Sequence, residues 1–209
     1  MSVLSDKTIR DLCTGENPMI SPFVGQSVKV DPTGKKIASY GLSSGGYDIR
    51  AAGEFKLFIP PTKLTFWQRL QWLFTGHEPE QSIIDYKNIP AEMFSDHFGD
   101  YIDVPPGGFL LTRSVERIAM PRDVLAVCIG KSTIARAGWN CLCTPLECGW
   151  PGYVTLEFQN TTCRTNRFYA NEGCLQLVFH RLDQECETSY ADRGGKYLNQ
   201  GAEIITPRV

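Results

Sequence analysis

A chain of 209 residues, 42% hydrophobic and 21% charged, has the composition of an ordinary globular protein and the length for one domain with a sizeable core. A formal net charge of −2 gives no basic footprint for duplex nucleic acid or an anionic membrane, so neither is expected as a partner and any anionic ligand must be held by a local cluster. No apolar run is long enough to span a bilayer, and the opening MSVLSDKTIRDLC has neither the cationic start nor the apolar centre of a secretory leader, so a cytoplasmic protein with mostly reduced thiols is expected.

In chain order, residues 5–13 read as a short helix capped by Ser5, with Ile9, Leu12 and Cys13 on one face. Residues 14–40 are rich in Gly, Pro and polar side chains around a strand-like stretch at 27–30. The glycines of GLSSGG at 41–46 permit tight turns, and Tyr47-Asp48-Ile49-Arg50 opens a strand, so Asp48 is read as a strand-start residue rather than part of a site. Neither this loop nor GKST at 130–133 completes the GxxxxGK[ST] phosphate loop, which argues against a P-loop NTPase.

Residues 62–75 form the least usual segment. Phe66, Leu70 and Leu73 share a helical stripe that Trp67 and Phe74 widen, which predicts an amphipathic helix packed on the body or on a neighbouring subunit. Its only cations, Lys63 and Arg69, weigh against a membrane-surface helix. Residues 77–100 read as an irregular acidic connection with a helical turn near 91–94. From Tyr101 the pattern changes to short apolar runs at 101–104, 109–112, 124–129, 153–159 and 175–180, separated by Gly/Pro turns. That is the signature of a mainly β sandwich, jelly roll or barrel with few short helices. The Gly-rich polar tail from Tyr190 is expected to be mobile and able to close over a ligand.

The chemistry concentrates between Gly130 and Asn160. Lys131, Ser132 and Arg136 supply the donors an anion needs, and Glu157 is the one carboxylate in the apolar run at 153–158. A carboxylate partly buried with a cation and hydroxyls nearby can hold a water and take its proton. Of the eight cysteines, Cys141, Cys143 and Cys148 are the only cluster; there is no CxxC, no HxE and no PCxxC, so a zinc site of the nucleobase deaminase kind is not expected.

Three blocks together resemble the dCTP deaminase family, relatives of the trimeric dUTPases. They are GKSTIAR at 130–136, LECGWPGYVTLEF at 146–158 and YADRGGKYLNQ at 190–200, with weaker support from YDIR at 47–50 and ANEGCLQ at 170–176. The resemblance implies a distorted jelly-roll or β-barrel protomer of the dUTPase-like type, one domain over residues 1–209, in a homotrimer with active sites at subunit boundaries. It implies hydrolytic deamination of dCTP to dUTP and ammonia, with Mg2+ held by the triphosphate and no zinc. Carried over by position, Glu157 is the general base, Ser132 orients the water, and Arg136 with Lys131 supplies charge-assisted bonds. Thr133 joins the substrate-binding set. Glu147 accepts from the sugar hydroxyl, the backbone of Thr155, Leu156 and Glu157 reads the base edge, and Gln176, Tyr190, Lys196 and Gln200 close over sugar and triphosphate.

Some positions depart from the pattern. Residues 60–83 read as an insertion, Glu147 stands where many relatives carry Asp, and Lys131 replaces the commoner Arg. Other readings stay open on the sequence: a bifunctional enzyme giving dUMP, a pure dUTPase, a deaminase of a modified cytosine nucleotide, and a non-catalytic nucleotide sensor or partner-binding protein. Glu157 also has a purely structural reading, as the ion-pair partner of Arg136 across a subunit boundary.

Overall fold

Two-residue alternation dominates the second half of the chain, and strands carry the fold of the computed structural model, which describes residues 2–58, 65–77 and 84–208. The first elements are β1 (Ser2–Val3), α1 (Asp6–Cys13), β2 (Ile20–Ser21), β3 (Val28–Val30), β4 (Lys36–Ser43) and β5 (Gly46–Phe58). After α2 (Phe66–Thr75) and a 3-10 turn at Ala91–Met93 come β6 (Phe94–Phe98), β7 (Tyr101–Val104), β8 (Phe109–Ala119) and β9 (Val124–Gly130). The one-turn α3 (Ser132–Ala135) leads into β10 (Trp139–Cys141), β11 (Pro151–Asn160), β12 (Asn166–Tyr169) and β13 (Gly173–Arg181).

Eleven strands join in one sheet along the path β1-β13-β5-β8-β11-β10, with β2, β3, β4, β6 and β9 attached beside it, while β7 and β12 pair with each other. The sheet curls because β5 changes neighbours along its length. Its first residues pair with β13 and β4, and its last with β6 and β8, with a register shift between Ala51 and Phe55. Such an irregularity bends a strand and increases its twist. The result is the mainly-β, distorted barrel with few short helices that the sequence led us to expect. Tyr47, Phe55, Leu110, Leu156, Phe158 and Phe179 are among its fully buried side chains. Phe168 packs on Phe158 at 4.7 Å and on Trp139 at 5.1 Å between ring centroids, which fixes the β10–β11 end of the sheet.

In α1, Ser5 caps the helix by accepting from the Thr8 N–H, and Ile9 and Cys13 are buried, as predicted. Other elements differ from the sequence reading. The strand predicted at 109–112 continues to Ala119, because its inward positions Ser114 and Glu116 are polar yet fully buried and hide the alternation. The GLSSGG stretch at 41–46 is mostly strand: only Ser44 and Gly45 form the turn of a β4–β5 hairpin, with Leu42 opposite Tyr47. Part of the 77–100 connection is β6, paired with β5, and the short strands β10 and β12 also escaped the sequence reading.

Within the 60–83 segment the described residues hold a helix, α2, where the stripe predicts one; 60–64 and 78–83 lie outside them. Local signals hold it: a capping box joins Thr65 and Gln68, and Gly76, at φ +68°, returns its N–H to the Trp72 carbonyl. Of the two expected settings, the body of the chain or a neighbouring subunit, the first is not met among the described residues. No α2 residue is buried, and Phe66, Trp67, Leu73 and Phe74 are 70–82% exposed. Among the described residues, no helix is long and apolar enough to cross a membrane.

Candidate active site

β11 shows why Glu157 faces a cavity rather than the core. Gly152, Val154, Leu156, Phe158 and Asn160 are buried on one face, and Tyr153, Thr155, Glu157 and Gln159 are half-buried on the other. The second face forms one wall of a cavity of about 800 Å3. Phe109 and Leu111 of β8 extend that wall, the 142–147 loop rims it, and Tyr190, Tyr197 and Gln200 of the tail cover it. A largely apolar hollow with a few convergent polar groups suits a flat heterocycle bearing a polar edge.

Burial raises the Glu157 carboxyl above the ordinary carboxylate range, and the neighbouring Cys143 thiol acts in the opposite direction. The strand beside it is tied on by a bond from the Leu142 N–H to the Glu157 carbonyl at 3.1 Å. A half-buried carboxyl whose proton affinity has been raised can both accept a proton from water and give one back.

The tail is docked rather than loose. The Tyr153 N–H donates to the Gln200 carbonyl at 3.0 Å, and the Gln200 side chain donates to the Thr155 hydroxyl. The Trp150 indole N–H donates to the Tyr197 carbonyl at 2.9 Å, and the Tyr197 N–H donates to the Tyr190 hydroxyl at 3.0 Å. Gly152 is required at this crossing, since a Cβ there would stand 3.0 Å from the Gln200 nitrogen and 2.9 Å from the Trp150 ring. Glu147, exposed at the cavity rim, is ion-paired with Arg193 of the tail.

Glu157, Thr155, Glu147, Tyr190 and Gln200 therefore meet around one cavity. Leu156 sends its side chain into the core, so only its backbone is available to that side. Lys196 is exposed on the tail and does not line the cavity wall. The remaining predicted residues gather elsewhere in the chain. Ser132, Thr133 and Arg136 are exposed on and just after α3. Lys131 is bonded to Asp48 at 2.5 Å, both side chains being largely buried, and Gln176 stands opposite Asp48 across the β13–β5 pair. Asp48 is the third residue of β5, as its strand-start reading has it, and it also ties the signature block to that strand through Lys131. Arg136 and Glu157 form no ion pair within the chain among the described residues.

Arg193, Tyr197, Trp150 and Cys143 also frame the site and carried no assigned role from the sequence. Their neighbours are distant in the chain; the 190–200 block marked Arg193 and Tyr197, the 146–158 block marked Trp150, and the cysteine cluster marked Cys143. Among the described residues, no group of three or more His, Cys, Asp or Glu side chains is arranged to hold a metal ion.

Comparison with known proteins agrees with this architecture. The profile of the dCTP deaminase-like family matches residues 3–182. The chain is 48% identical over 200 residues to a protein named dCTP deaminase from Francisella tularensis subsp. novicida, covering 96% of each chain. It is 45% identical over 209 residues, the full length of both, to a protein of the same name from Albidiferax ferrireducens. Among solved structures, the 2′-deoxycytidine 5′-triphosphate deaminase of Agrobacterium tumefaciens superposes with a TM-score of 0.54 over 85% of this chain and 48% of that one; at 15% identity this likeness speaks to the fold.

Proposed function

The chain belongs to the dCTP deaminase-like family, and from that premise we propose that it converts dCTP to dUTP and ammonia, with Glu157 as the general base. The observation that carries the reading is the Glu157 carboxyl, half-buried on the wall of a covered cavity of about 800 Å3, with burial raising its proton affinity. In this reading the pyrimidine ring lies against the apolar wall, with its polar edge along the β11 backbone. Glu157 takes a proton from water as the oxygen adds to C4 of the base. It passes that proton to N3, then takes the proton of the new C4 hydroxyl and hands it to the amine, so that the C4 carbonyl forms as the C–N bond breaks and ammonia leaves. Mg2+ enters with the triphosphate as part of the substrate, and no step calls on a protein-bound zinc.

Ser132 and Arg136 are exposed on α3 and at its end and do not line the cavity of their own chain. We assign them to the cavity of a neighbouring copy in a homotrimer, where Ser132 orients the water and Arg136 supplies positive charge. Lys131 positions that segment through Asp48. The enzyme acts on the cytoplasmic nucleotide pool in this reading.

Two measurements test it. Ammonia release from dCTP and Mg2+ is expected to fall roughly 100- to 10,000-fold in Glu157→Gln, with nucleotide affinity largely kept. Unchanged turnover would remove Glu157 from the mechanism. Mixing inactive Glu157→Gln and Arg136→Ala chains under conditions of subunit exchange should regenerate intact sites. In random trimers each site takes its base from one chain and its arginine from the next, so about a quarter of sites are whole. No recovery despite proven exchange would place both residues in one chain's site. Because Glu147 lines the same cavity, a bifunctional enzyme that goes on to dUMP is the second reading, and diphosphate release alongside ammonia would establish it.

A further inference from the structure

The loop beside the proposed base carries chemistry that deamination does not use. Cys141 ends β10, Cys143 follows two residues later, and their sulfurs lie 3.4 Å apart. Both are half-buried and free. Residues two apart in an extended chain project to the same side, so the backbone itself holds the pair together. The pair also sits between the two halves of the family signature. The Cys141 Cβ lies 3.5 Å from where a side chain at Gly130 would begin, and Cys141 stands opposite Phe158, next to Glu157, in the β10–β11 pairing. Cys143 lies against the Glu157 carboxyl.

We propose that Cys141 and Cys143 form a dithiol that a hydroperoxide converts to a disulfide, and that this bond switches off the Glu157 site. The chemistry of the pair stands by itself; the switching rests on the deaminase reading given above.

The two thiols divide the work. The 3.4 Å contact between the two sulfurs lowers the Cys141 thiol from its ordinary value, while the same contact and burial raise Cys143. The thiolate is the nucleophile toward peroxide, so Cys141 reacts first. Its sulfur attacks one oxygen of hydrogen peroxide, the O–O bond breaks, and hydroxide leaves to take up the proton that Cys141 had lost. Cys141 is then a sulfenic acid. The Cys143 sulfur attacks the Cys141 sulfur and the S–O bond breaks. The hydroxyl leaves as water with the Cys143 proton. Two thiols are oxidised to one disulfide, and one peroxide is reduced to two waters.

Closing the sulfurs from 3.4 Å to a bond of about 2.05 Å draws Cys143 away from Glu157 and removes its S–H donor. The Glu157 carboxyl then loses the contact that opposes its burial, and less of it is ionised to act as base. Leu142 lies inside the new ring, and its N–H is the group bonded to the Glu157 carbonyl. A ring this short is readily reopened by a dithiol, as expected of a regulatory rather than a structural disulfide. The other cysteines are less suited. Burial pushes the Cys13 and Cys128 thiols up to about 12 and the fully buried Cys174 well above its ordinary value, and burial also raises Cys148, which lies beside Cys186.

The test treats the full-length enzyme with a small excess of hydrogen peroxide, removes the oxidant, and follows intact mass, fragment mass and ammonia release from dCTP. The mass is expected to fall by two hydrogens, the fragments to place the link between Cys141 and Cys143, and ammonia release to drop roughly 10- to 100-fold. Dithiothreitol should restore both. Cys141→Ser should form no such link and keep its rate through the same treatment, and Cys141→Val provides the same comparison if serine unfolds the strand. An unchanged mass, a link between other cysteines, a link that leaves the rate untouched, or equal inactivation of the Cys141 variants would overturn the proposal. The mass readout needs no turnover. A protein that forms the link but releases no ammonia before oxidation would instead sink the deaminase reading.

Discussion

Replacing Arg50 by methionine tests how the buried centre of the sheet tolerates charge. Glu116 is fully buried on β8. Its carboxylate accepts from the Arg50 Nε at 2.7 Å and from the Arg50 backbone N–H at 2.9 Å, while the Arg50 side chain is 15% exposed and lies over the Tyr40 ring at 4.5 Å. Methionine keeps much of the aliphatic packing and the backbone donor but deletes the guanidinium. Breaking a buried pair by removing one partner costs about 3–5 kcal/mol. The retained N–H argues for the lower end, about 3 kcal/mol, which for a chain of this size lowers the melting temperature by roughly 6–12 °C.

The pH dependence has a definite sign. Burial raises the Glu116 carboxyl above its unfolded value despite Arg50, and losing Arg50 raises it further. Between the unfolded and folded values the native state holds a proton that the unfolded state has lost, so stability falls as pH rises through that window. The deficit of Arg50→Met should therefore be larger at about pH 8 than at about pH 5, and adding Glu116→Gln should recover part of it. Thermal unfolding of the two single variants and the double variant measures all three quantities. If the single effects add to within about 0.5 kcal/mol, or the deficit is independent of pH, the pair is not coupled as argued.

Burial of Glu157 should place the acidic limb of kcat/KM for deamination above the ordinary carboxylate range, with activity lost as pH falls through it. Cys143→Ala removes the opposing thiol and should move that limb to higher pH; an unmoved limb in the pH profile would show that the thiol does not tune the base. Gly152→Ala sets a methyl group 3.0 Å from the Gln200 nitrogen, so the tail should be displaced and KM should rise roughly tenfold, a loss of about 1.4 kcal/mol, with steady-state kinetics as the check. Trp150→Phe deletes the 2.9 Å bond to the Tyr197 carbonyl, worth about 1 kcal/mol, and hydrogen exchange across 190–200 should speed roughly fivefold.

What the sequence made legible follows from how local each signal is. β11 alternates strictly, so its span and the separate facing of Glu157 can be read from the chain alone. β8 uses Thr112, Ser114 and Glu116 at buried positions, and polar residues turned inward defeat a pattern that equates polar with exposed. The helix α2 was recognisable because its stripe, capping box and terminal glycine lie within a few residues of one another, but nothing local says what a helix packs against. The Lys131–Asp48 pair joins β9's end to β5 across 83 positions, and the tail's bonds to β11, one of them backbone to backbone, span more than 40 positions, beyond the reach of any local pattern.

The divided placement of the signature follows from the same physics. Glu157 lies on a cavity wall, and the signature cation that would complement it is absent from that wall in its own chain. The Arg136 side of the signature is turned outward at the end of α3, while Lys131 beside it is already neutralised by Asp48. A sequence reading treats the two blocks as neighbours because only 20 positions separate Arg136 from Glu157, whereas the sheet carries β10 and the 142–147 loop between them. Placing an exposed guanidinium against another copy's half-buried carboxyl gives each group what its own chain withholds. Such a site would lose its orienting charge whenever the copies separate, so its activity should depend on protein concentration at high dilution.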